Sequence, residues 1–273
     1  MLKPGVNADV DNATYHGDKK YYSSSSLKLL LQNPIEFYRK HVLKENTFKS
    51  VGSTNMDLGS YVHSVVLEPE KTNDEFAVYD GIRRGESWTT FAAENRNKII
   101  VSATNRDLGD KLGALVREHK AVKELLTGGF PEYTYCCELM GENIKVRADY
   151  INVDKNYILD VKTTSKPLTK EALMGAIANL HYDLSVALYI DAFKQINKVD
   201  KLDFYFIFVN TKDTKDVEVF KASDVLINNG RRKYRKAIKI MQQCMKSGIW
   251  KSEIVEEIDV PFWSLLSEEF DDE

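Results

Sequence analysis

Cysteine is scarce in this chain. Three occur among 273 residues, and two of them, Cys136 and Cys137, are adjacent. They form neither a disulfide framework nor a metal-spaced pair, and they suit a reducing cytosol. Long apolar runs are missing as well. None approaches the ~18 residues of a membrane span. The opening MLKPGVNADVDNATYHGDKK lacks the apolar stretch of a secretory signal. The expectation is a cytoplasmic protein with no membrane partner. Neither sign of charge dominates: 38 Lys and Arg stand against 41 Asp and Glu, a net charge near −3. Any polyanionic partner must therefore meet a local basic surface rather than bulk charge. Repeats, low-complexity tracts and a clear linker are also absent. What remains is long enough to bury a substantial core, and it reads as one α/β domain over 1–273.

Residues 1–22 are polar and read as loose. In YYSSSSLKLLLQNPIEFYRKHVL the serines offer helix caps, and Leu27, Leu30 and Leu31 follow at helical spacing. Asn33-Pro34 breaks that helix and starts another. KENTFKSVGSTN reads as a loop. MDLGSYVHSVVLEPE reads as a helix with Leu58, Val62, Val65 and Val66 on its apolar side. FAVY is a short strand candidate, and NRDLGDKLGALVREHKAVKELLTGG an amphipathic helix closed by a glycine pair. The second half changes texture. EYTYCCEL, NIKVRADYINV and NYILDVKTT read as an antiparallel meander with short turns. One or two helices follow, then the strands LDFYFIFVN and VEVF and a long basic helix. The tail, 252–273, is acidic.

The chemistry begins in NYILDVKTTS, residues 156–165. Strand side chains alternate faces, so Asp160 and Lys162 point the same way from an otherwise apolar strand. On the preceding strand, Lys145, Arg147 and Asp149 share a face. Asp149, Asp160 and Lys162 can then converge at one end of a sheet. Two carboxylates repel unless a cation lies between them, and a hard ion with oxygen ligands, Mg²⁺ or Mn²⁺, is the natural filler. Such an ion acidifies water and balances charge on a phosphoryl group. The other reading of Asp-x-Lys is a surface salt bridge at a strand end.

Asp149, followed eleven residues later by Asp160 within ILDVKTTS, resembles the signature of the PD-(D/E)XK nuclease superfamily. Three further segments narrow the resemblance. SSSSLKLLLQNPIEFY is similar to the opening helix of RecB-type and RecE-type nucleases. LGSYVHSVVLEP resembles their Gly-x-x-x-His helix, with Gly59 and His63 in the matching positions. YDLSVALYIDAF resembles a helix that usually reads Tyr-x-x-Gln-x-x-x-Tyr; Tyr182 and Tyr189 match, while Ser185 replaces the Gln. As a set, from about Tyr22 to about Ile240, they most resemble the RecE-type exonucleases (exonuclease VIII). Three cysteines exclude the four-cysteine iron–sulfur branch. The lack of a Gly-x-x-x-x-Gly-Lys-Ser/Thr loop argues against a fused helicase.

The resemblance implies a restriction-endonuclease-like core, a central mixed sheet flanked by helices, with a helical N-terminal elaboration. It implies Asp149, Asp160, His63 and the Val161 carbonyl as metal ligands, and Lys162 as the group that positions water. Glu132 and Glu138 are candidates for an additional acidic residue. Substrate-contact candidates are Tyr182, Ser185, Tyr189, Arg147, the loop residues Arg83 and Arg84 beside Trp88, and Arg231 and Arg232 in the basic helix. The implied activity is a Mg²⁺-dependent exonuclease that resects linear double-stranded DNA from the 5′ end. It would be phage- or prophage-encoded, assemble as a ring-shaped homo-oligomer and work with a RecT-like single-strand annealing protein. Two alternatives stay open: a structure-specific or endonucleolytic relative, and a DNA-binding module with a decayed site.

Overall fold

A computed structural model describes residues 1–45, 54–212, 216–251 and 257–260. Most of the expected loop at 44–55 and most of the acidic tail lie outside these residues. The first half contains β1 (Gly5–Asn7), α1 (Asn12–Gly17), α2 (Ser24–Gln32), α3 (Pro34–Phe37), α4 (Thr54–Leu67), α5 (Thr72–Glu75), β2 (Phe76–Tyr79), α6 (Gly85–Glu94), β3 (Ile99–Ser102), α7 (Ala103–Glu118) and α8 (Lys120–Leu125). The second half contains β4 (Phe130–Leu139), β5 (Glu142–Asn152), β6 (Tyr157–Thr164), α9 (Lys170–Asn179), α10 (Tyr182–Asn197), β7 (Asp203–Asn210), β8 (Val217–Lys221) and α11 (Asp224–Ser247).

The central sheet has six strands in the order β1-β4-β5-β6-β7-β8. Strands β4 to β6 form the expected meander. Met140 and Gly141 turn the first hairpin with φ of +55° and +82°, the sign pattern of a primed hairpin turn. Within this sheet only β6 and β7 of the described strands pair in parallel, and α9 and α10 supply the crossover that a parallel pair requires. The fold is thus a mixed α/β sheet flanked by helices, as expected.

Both faces of the sheet are buried, and β6 shows why its apolar residues do not simply alternate with polar ones. Ile158 packs with α2, α10 and α11 through Leu27, Leu188 and Ile238. Tyr157, Leu159 and Val161 pack on the other side, against Val62 and Val66 of α4 and Leu112 and Val116 of α7. Asp160 and Lys162 therefore lie on the face covered by α2 and α10. Helices α10 and α11 approach closely at Gly230: a Cβ there would stand 1.8 Å from the Asp183 carbonyl oxygen. Only glycine allows that crossing.

Two expectations are corrected. Residues 1–22 are not loose. Strand β1 pairs with β4, and Leu2, Tyr15 and Tyr21 are buried with Cys136. The Lys145 ammonium donates to the carbonyls of Tyr15 and Asp18, so a polar segment is held by charge-assisted bonds to distant backbone. In addition, FAVY does not stand alone. It pairs in parallel with β3, a strand the sequence reading passed over, in a separate two-stranded sheet. Among the described residues no single helix is long and apolar enough to cross a membrane.

Candidate active site

The site forms where β5 and β6 part. Their ladder runs from Asn152–Tyr157 to Tyr150–Leu159 and stops there. At the next step the Asp149 Oδ2 atom accepts the Val161 N–H at 2.8 Å. A side chain thus replaces a ladder bond, satisfying the backbone donor while the strands separate. Asp160 and Lys162 follow on β6. The Lys162 Nζ lies 2.6 Å from Asp160 Oδ2 and 3.8 Å from Asp149 Oδ2. His63 arrives from α4 on the opposite layer. Its Nε2 is 2.5 Å from the Val161 carbonyl oxygen, and its Nδ1 is 3.4 Å from Asp149 Oδ2.

Glu132 completes the cluster from β4. Pro131 pairs with Tyr150 and Tyr133 with Ala148, so Glu132 stands opposite Asp149. Its φ of +49° is a left-handed conformation, uncommon for a residue with a Cβ and a mark of local strain. His63, Glu132 and Asp149 each offer a ligand atom, and these atoms lie within 4.8 Å of one another. One imidazole nitrogen and two carboxylate oxygens fit a divalent cation of the Mg²⁺ or Mn²⁺ kind. Asp160 stands outside that group of three; its carboxylate faces Lys162.

The electrostatics follow from burial and from neighbouring like charges. Burial pushes the Asp160 carboxyl up, the Lys162 charge pulls it down, and Asp149 pushes it up again; the net direction is up. For Lys162 burial disfavours the charge, but Asp160 and Asp149 outweigh it and hold the ammonium above its ordinary range. Glu132 is pushed up to about 8 by burial and then by the Asp149 charge, against the pull of Arg147. A cavity of about 670 Å³ opens beside His63 and Glu132, and Asp11, Glu68, Glu75 and Arg147 are part of its wall.

The other candidates separate into near and far. Tyr182 lies beside the ion pair, with Lys162 Nζ 5.6 Å from its ring centre. Burial first, then the Asp160 charge, raises the Tyr189 phenol. Half-buried Ser185 lies between them on α10. Glu138 is exposed and pairs with Asn143. Six residues separate it from Glu132, roughly 20 Å of strand, so it is excluded from the cluster.

Arg147 lies in the cavity wall, 3.7 Å from Glu132, and its other donors are engaged within the protein. It donates to Thr134, Asn12 and Val10 and covers the Tyr15 ring at 4.1 Å. Arg231 is likewise engaged, in a forked pair with Asp191. Arg232 is exposed and reaches Asn229. Arg84 is exposed, while Arg83 bonds the Ile100 carbonyl and stacks on Trp88, with 5.4 Å from guanidinium carbon to ring centre.

One residue at the site was missed. Lys28 of α2 places its Nζ 5.1 Å from the Tyr182 ring centre. Burial, followed by repulsion from Lys162, lowers its ammonium to about 8. Its spacing from Ser24, one helical turn inside the serine-rich opening helix, was the available signal.

The chain is similar to known proteins at the level of family and fold. Residues 23–260 match the family described as a PDDEXK-like domain of unknown function (DUF3799). No curated protein matches the chain. A solved structure from Eubacterium rectale named "Putative exonuclease" superimposes with a TM-score of 0.65 at 16% identity, over 89% of each chain. A phage related exonuclease from Haemophilus somnus 129PT gives a TM-score of 0.36 at 13% identity, over 84% of this chain and 96% of that one. The match across most of its length, on a fold that carries the Asp149, Asp160 and Lys162 arrangement, means that the chain belongs to the PDDEXK-like family, within the PD-(D/E)XK nuclease superfamily.

Proposed function

We propose that this protein is a divalent-metal-dependent deoxyribonuclease that degrades linear double-stranded DNA from its ends. The observation that carries the reading is the convergence of Asp149, Asp160, Lys162 and His63 where β5 and β6 part. A structural salt bridge needs neither a third carboxylate nor an imidazole reaching across from another layer.

His63, Glu132 and Asp149 would hold the cation, with the Val161 carbonyl beside them; Asp160 is a further carboxylate within the site. When bound, a Mg²⁺ or Mn²⁺ ion lowers the pKa of water and offsets charge on the phosphoryl oxygens. Lys162 supplies a charged donor. Its ammonium, 2.6 Å from Asp160, orients the attacking water and stabilises charge developing on phosphate oxygen. Asp160 fixes its ammonium and sets its direction. Removal of such a positioned group lowers the rate by on the order of 10² or more.

The finer reading extends the RecE-type resemblance. Digestion runs from the 5′ end and leaves 3′ single-stranded tails for phage-type recombination with an annealing partner. The protein acts as a ring around its substrate, which supplies the processivity that a net charge near −3 does not. The test is one assay: duplex labelled at either the 5′ or the 3′ end, and a closed circular control, each with Mg²⁺ or EDTA. Loss of the 5′ label first, no cutting of the circle and no reaction in EDTA support the reading. Cutting of the circle would make the protein an endonuclease. Binding without metal-dependent cutting would leave only a DNA-binding module. Light scattering during gel filtration tests the ring, and a strict monomer would remove it.

A further inference from the structure

Two lysines from different elements share one aromatic ring. Lys162 leaves β6 and Lys28 leaves α2, and their ammonium nitrogens lie 5.6 and 5.1 Å from the Tyr182 ring centre. Their charges are treated differently. Lys162 is balanced by Asp160 at 2.6 Å and Asp149 at 3.8 Å. Lys28 makes no ion pair and no hydrogen bond among the described residues, although it is only half-exposed. Attraction to a ring face is worth roughly 0.5–1 kcal/mol at exposed sites and about 2 when desolvated. Repulsion from the second ammonium works against even that. A cation set beside another cation, with no carboxylate at ion-pair distance, is suited to an anion that arrives with the substrate.

The placement is built rather than incidental. Leu27 and Leu30 are fully buried and fix α2 on the sheet. Lys28 of α2 meets Tyr182 in the first turn of α10.

We infer that Lys28 binds a backbone phosphate of the DNA strand adjacent to the phosphate being cleaved, as a second cationic contact beside Lys162. This rests on the nuclease reading above. The experiment compares the wild-type protein with Lys28→Met, which keeps an apolar stem, and Lys28→Arg, which keeps the charge. Affinity for a fluorescent duplex is measured by anisotropy between 50 and 200 mM salt, with Ca²⁺ replacing Mg²⁺. Cleavage kinetics follow in Mg²⁺, and Mn²⁺ binding is measured by calorimetry.

K28M should reduce the slope of log affinity against log salt by about 0.7–0.9, the contribution of one phosphate contact. Its KM should rise about tenfold with a smaller change in kcat, its metal binding should be unchanged, and K28R should restore the slope. An active wild type with K28M unchanged in slope and KM would overturn the inference alone. Loss of metal binding in K28M would also overturn it, by making Lys28 a support for the metal site. A wild type that neither binds nor cuts DNA would remove the nuclease reading and this inference together.

Discussion

Replacing Lys162 with Met tests whether the ion pair at the site is held together in the way its geometry implies. The substitution keeps the stem and deletes the ammonium. Asp160 then loses its partner at 2.6 Å, with the two side chains only 10% and 21% exposed for Asp160 and Lys162. Breaking a buried pair on one side costs about 3–5 kcal/mol. A ceiling applies, because Asp160 can take a proton instead: from an ordinary value near 3.9, neutralisation at pH 7 costs about 4 kcal/mol. The expected loss is therefore about 3–4 kcal/mol, or about 6–12 °C in Tm at roughly 2–3 °C per kcal/mol for a chain of this size. The sign with pH follows. In the variant Asp160 has a folded pKa above its unfolded value, so stability is fullest below the unfolded value and falls as pH rises through the folded one. The deficit should shrink to about 1.5 kcal/mol at pH 5, by the same neutralisation arithmetic. Asp160→Asn combined with Lys162→Met removes the stranded charge and should return to within about 1–2 kcal/mol of wild type, yet remain inactive. The assay is calorimetric melting in EDTA at pH 7 and pH 5, with end-labelled duplex cleavage alongside. A Lys162→Met protein that melts within 2 °C of wild type at both pH values would refute the pairing argument. A double variant that cuts DNA normally would refute the catalytic one.

Other expectations follow from the same geometry. Asp149→Ala should abolish both cleavage and high-affinity Mn²⁺ binding, since one carboxylate is a candidate ligand and also caps the Val161 N–H; duplex binding should survive. Near-normal cutting would place the site elsewhere. Glu132, raised to about 8, should make the metal-free protein lose stability as pH rises from about 5 to 8, because the folded state holds the proton longer. Glu132→Gln should flatten that slope in melting curves, and a slope unchanged by the substitution would show another group to be responsible. Gly230→Ala would set a Cβ 1.8 Å from the Asp183 carbonyl oxygen, so α10 and α11 must separate at a cost of about 1–3 kcal/mol. Because Tyr182 precedes Asp183, activity should fall by more than the melting temperature alone explains; full activity with an unchanged Tm would contradict the close crossing.

What the sequence disclosed here is what a two-residue period and short turns can carry. Asp160 and Lys162 stand on one face of an apolar strand whatever its neighbours are, and the hairpins from 130 to 164 are local. What it concealed depends on residues far apart. Arg147 sits on the face of Asp149, as the alternation requires, but its donors are taken by Val10 and Asn12, 137 and 135 positions away. No local pattern announces such partners, and the N-terminal 22 residues read as loose for the same reason. Strand β3 was passed over because it is four residues long and its partner lies across a helix. Glu132 and Glu138 share a face by period two, but six positions along β4 carry Glu138 far from the opening where Glu132 joins His63 and Asp149.

The misses and the successes have a common physical origin. A side chain's face is set by its own strand, but its employment is set by which backbone comes to meet it. At Asp149 the meeting partner is the Val161 N–H, and the price of parting two strands there is met by a single hydrogen bond. That bond turns the parting of two interior strands into an opening lined by two carboxylates and a lysine. His63 then reaches Val161 from α4, and Lys28 reaches Tyr182 from α2, so opposite layers of the fold arrive at one point. Shifting β6 by one residue would send Asp160 and Lys162 to the α4 side. There Val62, Val66 and Leu112 would have to accept buried charges without partners. The register that buries Leu159 and Val161 correctly is the same register that assembles the site, so selection for a stable core and for the candidate chemistry acts on one alignment.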